Sequence, residues 1–254
     1  MRNSMITIIM PAYNCERFIE QAVHSVISQT YEDWKLIIID DCSTDGTRQL
    51  AMRLANDDPR IELQCNDRNK GVSGTRNRGI NEAKTEWIAF LDSDDAWEKE
   101  KLAKQIALIE DNPSAKITFT GSAFMRESGE LMNVVFQVPE RVTRRKLLKQ
   151  NVISCSSVMI KRELLLRNPM PEGKEIHEDF AVWLKVLEET EYAYGINEPL
   201  LTYRVYQGSK SGNKRKAARM NWNTYRKVGL NPIAAAYYMC WYAINGIKKY
   251  RKLK

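Results

Sequence analysis

Phe90-Leu91-Asp92-Ser93-Asp94-Asp95 is the place where an apolar run, Trp87 to Leu91, meets three carboxylates within four residues. The run is short and apolar throughout, which predicts a fully buried strand. Acids crowded at the end of such a strand repel one another, and that cost falls when a cation binds between them. A second run, Leu36-Ile37-Ile38-Ile39, ends the same way in Asp40 and Asp41. Two strands that stop in acids predict one anionic rim along one edge of a sheet. Open α/β sheets hold their ligands beyond the carboxyl ends of the strands. A divalent ion with oxygen ligands suits this rim, and an ion with open positions suits a diphosphate.

Outward from these two strands the pattern alternates. Ile6–Met10 reads as a third buried strand, followed by a turn, Pro11-Ala12-Tyr13-Asn14, with Asn14 expected as the N-cap of the next helix. Phe18, Ile19, Ala22, Val23, Val26 and Ile27 then share one helical face. A helix is expected from Thr47 to about Ala55, a short strand over Ile61–Cys65, and a flexible loop from Asn69 to Gly74 that leads into a helix bearing Arg76, Asn77 and Arg78. Strands alternating with helices at these spacings predict right-handed βαβ units, so the fold class is α/β with a mainly parallel, Rossmann-like sheet flanked by helices. The second half is less regular. It reads as a helix over Glu98–Glu110, a strand over Lys116–Thr120, a hairpin within Met125–Val138, a strand over Ser156–Ile160 and a short helix. An amphipathic helix over Glu178–Glu189 follows, then strands over Tyr192–Tyr194 and Leu200–Val205.

The 254 residues fit one large domain, alone or with an appendage, and 43% hydrophobic residues suffice for a core. The five cysteines are odd in number and contain no Cys-x-x-Cys, which argues against a disulfide framework or structural zinc and for a reducing compartment. Met5–Met10 is too short for the apolar region of a secretory signal, and no apolar stretch has transmembrane length. Charge is uneven. Residues 199–254 hold 13 Lys/Arg and no acid, whereas the rest of the chain carries −6. An acidic body with a basic end predicts contact with an anionic surface.

Ile8-Ile9-Met10-Pro11-Ala12-Tyr13-Asn14, Ile39-Asp40-Asp41-Cys42-Ser43-Thr44-Asp45-Gly46-Thr47, Asn69-Lys70-Gly71, Phe90 to Asp95 and His177-Glu178-Asp179 together resemble the family-2 glycosyltransferases of the GT-A fold. The resemblance covers about residues 5–205 and keeps the family's order; each motif alone is weak, and five in order are specific. It implies a GT-A domain over 1–205, with a nucleotide-binding half at about 1–97, an acceptor half at about 98–205, and a basic, partly amphipathic helical tail over 206–254. It further implies an inverting enzyme that passes one sugar from a nucleotide-sugar donor, UDP by preference, to a glycan or polyprenyl-diphosphate-linked acceptor. By the same resemblance Asp94 of the Asp-x-Asp motif is the ligand of a divalent metal, Mn²⁺ or Mg²⁺, with Asp92 and Ser93 near the ribose and metal. Asp41 would accept a hydrogen bond from the base, and Pro11, Ala12, Tyr13 and Asn14 would line it. Lys70 and Arg76 are candidates for phosphate contacts. Asp179 would be the general base on the acceptor hydroxyl, with Glu178 assisting and Asp95 turned toward the acceptor side.

Tyr203-Arg204-Val205-Tyr206-Gln207-Gly208-Ser209-Lys210-Ser211 resembles a family segment in which histidine is usual at the position of Tyr206. His177 is a candidate substitute. The Gln-x-x-Arg-Trp signature of processive synthases is absent, which implies one sugar per encounter. Ile233–Ile244 is apolar, aromatic and followed by basic residues, which suits a helix on anionic lipid and a peripheral location on the inner face of the membrane; the alternative is a helix packed on the domain. The basic end carries no nucleic-acid-binding module, and no nucleic-acid partner is expected. A receiver-like signalling domain would also use Ile-Asp-Asp after a strand, but it leaves Asp92–Asp95 and His177-Glu178-Asp179 without a role.

Overall fold

A computed structural model describes residues 5–173, 175–206 and 214–252. Ser209 and Ser211 of the tyrosine-containing segment, and Lys254 of the basic end, lie outside the described residues. The chain runs β1 (Ile6–Ala12), α1 (Ile19–Ile27), β2 (Trp34–Asp40), α2 (Thr47–Asp57), β3 (Ile61–Cys65), α3 (Gly71–Glu82) and β4 (Trp87–Phe90). Then come β5 (Ala96–Trp97), α4 (Lys101–Asp111), β6 (Ile117–Arg126), β7 (Leu131–Phe136), β8 (Arg141–Val142), α5 (Arg144–Lys149), β9 (Met159–Lys161) and α6 (Arg162–Arg167). The chain continues through α7 (Glu178–Glu189), β10 (Ala193–Val205), α8 (Lys214–Lys227) and α9 (Pro232–Lys252).

One sheet carries the order β3-β2-β1-β4-β9-β6-β10-β5, with β7 on β6 and β8 on β10. β1 to β4 pair in parallel, in the βαβ arrangement that the alternating pattern predicts. The second half is mixed: β9 runs antiparallel to both β4 and β6, while β6 and β10 are parallel. The two strands expected over Tyr192–Tyr194 and Leu200–Val205 are one strand, whose register shifts around Pro199. A proline has no N–H to give a ladder, so such an irregularity is where a strand tolerates it. The strand expected over Ser156–Ile160 is instead a 3-10 turn, Cys155–Ser157, followed by β9.

Both faces of the sheet are covered. Ile6, Ile8 and Met10 of β1, with Leu36 and Ile38 of β2, pack against α1, α2 and α4. Ile9, Ile37 and Ile39 point the other way, toward α3 and α5 to α9. This is the period-two alternation of a strand buried on both sides. Gly79 brings α3 close to the sheet: a Cβ there would meet Ile9 Cγ2 at 2.8 Å and Ile39 Cδ1 at 3.0 Å. The C-terminal helices belong to this layer. Tyr225 of α8 and Ala235 of α9 are buried in the same core as α5 and α7.

Candidate active site

The carboxyl ends of β1, β2 and β4 open on a cleft of about 1040 Å³, walled on the far side by the starts of α3, α7 and α8. That volume is of ligand size. All ten residues expected on the donor side line it: Pro11, Ala12, Tyr13, Asn14, Asp41, Lys70, Arg76, Asp92, Ser93 and Asp94. They come from four separate stretches of chain, and parallel pairing aligns the ends that carry them.

Asn14 is not a helix cap. It sits at φ +48°, α1 begins only at Ile19, and Asn14 Oδ1 accepts the Thr44 N–H at 2.8 Å. The Asn14 N–H donates to Ser43 Oγ at 3.0 Å, so the turn after β1 is stitched to the loop after β2. Tyr13 stands exposed at the lip of the cleft. The Asn69–Gly74 segment is not a flexible loop either, because α3 begins at Gly71, and Asp41 fixes its start. Asp41 Oδ1 accepts Asn66 Nδ2 at 2.7 Å and the Lys70 N–H at 2.8 Å, and Oδ2 accepts the Gly71 N–H at 2.8 Å. Gly71 is at φ +70°, a conformation that glycine adopts freely. A carboxylate offers about four acceptor positions, and Asp41 uses three of them to hold Asn66 and cap α3. Lys70 Nζ lies 3.2 Å from Asp67.

Arg76 differs from the sequence expectation. Its guanidinium is 3% exposed and turned onto carboxylates, bonding Asp92 Oδ1 through Nη2 and approaching Glu178 Oε1 at 3.4 Å through Nη1. Burial works against its charge, but the negative groups facing it, Asp92 first and Glu178 among the others, together outweigh burial, so its pKa lies above the ordinary arginine value. Arg76 therefore ties the end of β4 to the start of α7 through its two terminal nitrogens, while its buried Nε has no hydrogen-bond partner.

Asp94 is half-buried, and its pKa is raised to about 6, first by burial and then by the charge of Asp92. Tyr206 hydrogen-bonds its carboxylate and Arg204 attracts it, which moderates the rise. The Tyr206 phenol is itself pushed up to about 12 by burial and by Asp94. Arg204 anchors this corner, donating from Nε to the Asp94 carbonyl at 2.8 Å and from its backbone N–H to Asp95 Oδ1 at 3.0 Å. Tyr206, packed on Phe18 with ring centroids 5.9 Å apart, thus stands beside the expected metal ligand. Asp95 does not face an acceptor: it is 1% exposed and braces β10, and burial raises its pKa well above the carboxylate range, with Asp94 and Asp92 adding to it. His177 does not substitute for a histidine here. Its backbone N–H donates to Thr224 Oγ1 at 2.9 Å, and its ring nitrogen Nε2 lies 3.4 Å from the Ala217 carbonyl, toward α8.

Asp179 opens α7, where a helix start favours an anion. Its Oδ1 accepts the Phe180 N–H at 2.7 Å, and its pKa is raised by burial and by Glu178. Glu178 lines the cleft, and Asp179, the next residue, is not among the lining residues. Sequence reasoning missed Lys216 and Met220 of α8, which also line the cleft. Their segment carried only a charge signal, and its helical register gave no sign of a neighbouring site.

The donor set accommodates a divalent ion in a specific way. Asp94 and Asp92 lie close enough for one charge to raise the other's pKa, but Asp92 already holds Arg76. Among the described residues no group of three or more His, Cys, Asp or Glu side chains is arranged to hold a metal. The residues that could hold a divalent ion are thus Asp94 and, shared with Arg76, Asp92; Mg²⁺ commonly takes one or two carboxylates together with phosphate oxygens.

Glycosyl transferase family 2 matches residues 7–166. A Bacillus subtilis glycosyltransferase assigned to teichuronic acid biosynthesis is 38% identical over 96% of this chain and 97% of its own length. An Escherichia coli UDP-Glc:α-D-GlcNAc-diphosphoundecaprenol β-1,3-glucosyltransferase, WfgD, is 36% identical over 98% of this chain and 96% of its own. Among solved structures, S. aureus TarS 1–349 with UDP-GlcNAc superposes with TM-score 0.69 at 19% identity, over 92% of this chain and 70% of that one. A Pyrobaculum calidifontis mannosyltransferase with GDP-Man and Mn²⁺ gives TM-score 0.69 at 19% identity, over 94% and 68%. These two likenesses bear on fold alone. The relatives named are all glycosyltransferases, so the signalling alternative is set aside.

Proposed function

We propose that this chain, which belongs to glycosyl transferase family 2, transfers one sugar per encounter, with inversion, from a UDP-sugar to a hydroxyl of a glycan or polyprenyl-diphosphate-linked acceptor in bacterial surface polysaccharide synthesis. The observation that carries this reading is the convergence of Asp41, Asp92 and Asp94 on one cleft whose opposite wall includes Glu178, the residue before Asp179 at the start of α7. Asp41's remaining acceptor position selects a base that presents an N–H, as uracil does. Asp94 and Asp92 would hold a divalent ion, which when bound offsets the charge that grows on the diphosphate leaving group. The relatives from E. coli, whose names specify UDP-Glc and a diphosphoundecaprenol-linked acceptor, support this donor and acceptor class.

Asp179 is the general base of this reading. Its raised pKa makes its carboxylate a better proton acceptor than an ordinary aspartate, and it takes the proton from the acceptor hydroxyl as that oxygen attacks the anomeric carbon. Single displacement inverts the configuration and leaves the nucleotide as the leaving group. Arg76 keeps Asp92 and Glu178 in register across the cleft. A lipid-linked acceptor places the enzyme in the cytoplasm at the inner face of the membrane.

Asp179→Asn is expected to bind UDP as the wild type does and to lose transfer by on the order of 10²–10⁴-fold. The check is radiolabelled transfer from a panel of UDP-sugars to extracted lipid-linked acceptor, alongside UDP titration. Wild-type turnover by the variant removes Asp179 from the mechanism.

A further inference from the structure

The face of α9 turned away from the protein has a composition that a soluble surface does not require. Its inner side packs on the body: Ala235 is fully buried, Tyr238 and Met239 sit on the core, and Asn245 Nδ2 bonds the Lys149 carbonyl at 3.1 Å. Lys149 Nζ stands 4.4 Å from the Trp241 ring centre. The outer side carries Ile233, Ala236, Tyr237, Cys240, Ala243 and Ile244, all exposed, with Ile233 84%, Tyr237 49% and Ile244 45% accessible. At 3.6 residues per turn these six fall within a stripe about 120° wide. Between residues 233 and 244 it contains no charged side chain.

The helices beside this stripe are basic. α9 packs on α5 and α8. α5 lies in a stretch, residues 141–162, with seven Lys/Arg and no acid, and α8 and α9 lie in 199–254, which has 13 and none. Arg145 and Lys146 of α5 and Arg226 and Lys227 of α8 are exposed. Ion pairs from these helices reach back to other elements, Arg144 to Glu188 of α7 and Arg219 to Glu175 before it. No described helix is long and apolar enough to cross a membrane. An apolar stripe bordered by cations and lying along a surface has the chemistry of the boundary between acyl chains and anionic headgroups.

We propose that the outer face of α9 is a preformed docking surface for an anionic lipid bilayer. The stripe enters the headgroup region, while the exposed basic residues of α5 and α8 hold lipid phosphates beside it. The helix needs no folding on contact, because its inner face is already packed on the enzyme. This inference deepens the lipid-linked-acceptor reading above and rests on it for its purpose, but its test does not depend on transfer.

The experiment is vesicle co-sedimentation of the full chain with phosphatidylcholine alone and with phosphatidylcholine containing about 30% phosphatidylglycerol, an anionic lipid of the kind that attracts polybasic surfaces. Wild type is expected to bind the anionic vesicles, to release as salt rises, and to bind neutral vesicles at least about tenfold less. Ile233→Asp/Tyr237→Asp/Ile244→Asp alters only exposed positions and is expected to lose vesicle binding at least about tenfold while keeping the wild-type melting temperature and UDP affinity. Arg145→Glu/Lys146→Glu is expected to weaken anionic-vesicle binding and leave the neutral background unchanged. Undiminished vesicle binding by the triple aspartate variant overturns the proposal. So does a wild-type dimer in solution that the same variant converts to a monomer, because the stripe then meets a second copy of the chain. If vesicles bind as expected but no UDP-sugar is transferred, the docking surface stands and the acceptor reading falls.

Discussion

Asp94 shows how a site residue works against the fold that holds it. Burial and Asp92 raise its carboxyl to about 6, so the folded protein takes up a proton there at a pH where the unfolded chain does not. The sign follows from linkage: stability falls as pH rises from the ordinary carboxylate value near 4 to about 6, then levels off. Asp94→Asn is therefore expected to raise stability above pH 6 by on the order of 1–3 kcal/mol, with the gap closing toward pH 4. Denaturant titrations at several pH values read this directly, and a variant no more stable than wild type at pH 7 contradicts the electrostatic account of the corner. Lys101 is another buried charge group. It is fully buried, donates to Gln105 Oε1 at 2.7 Å and lies 3.9 Å from the Trp97 ring centre, and burial lowers its pKa well below the lysine value. The unfolded chain binds a proton there that the folded one resists, so wild-type stability rises with pH toward the ordinary lysine value. Lys101→Met is expected to be more stable at pH 7 and to lose that rise, which thermal melts between pH 7 and 10 detect. Of these two residues Asp94 was legible as a site because its neighbours in sequence are acids. Nothing in the sequence marked Lys101 as buried, since a lysine near a helix start reads as solvated.

At the scale of elements, α3 does two things that its sequence only partly advertised. Its start is capped by Asp41, thirty residues earlier, and its first turns carry Arg76 to the carboxylates of β4 and α7. Local reading took the glycines of Asn69–Gly74 for flexibility, because a cap contributed by a distant strand end leaves no local trace. Arg76→Met would leave Asp92 and Glu178 near each other without their shared cation. Breaking a buried pair in this way costs about 3–5 kcal/mol. Adding Glu178→Gln to the same variant is expected to recover part of that loss in urea unfolding, and no recovery contradicts the bridging role. By contrast, α7 and the first four strands were legible to within a few residues, because each is a buried apolar run or one amphipathic face. The order of the second half was not: β9 inserts between β4 and β6 through antiparallel pairing, a choice made by tertiary packing.

Across the whole molecule, a sheet that is parallel at one end and mixed at the other brings two walls of one cleft together. The parallel half gathers Pro11, Asp41, Asp92 and Asp94 along one rim, and that rim was readable from where apolar runs stop. The far wall, with Glu178, Lys216 and Met220, depends on how α7 and α8 pack back over the sheet. It was readable only in part, through His177-Glu178-Asp179. Tyr206 reaches Asp94 because β10 lies beside β5, on the far side of the sheet from where the motif itself begins. The account's central claim is that this cleft binds a uracil nucleotide through an ion completed by the diphosphate. The most direct test is calorimetric titration of UDP, GDP, CDP and dTDP into the protein with Mn²⁺, with Mg²⁺ and with chelator. The account predicts tight binding of UDP only when a divalent ion is present, with weak binding of the ion alone. UDP binding of equal strength in chelator, or no nucleotide binding by a folded sample, would contradict it.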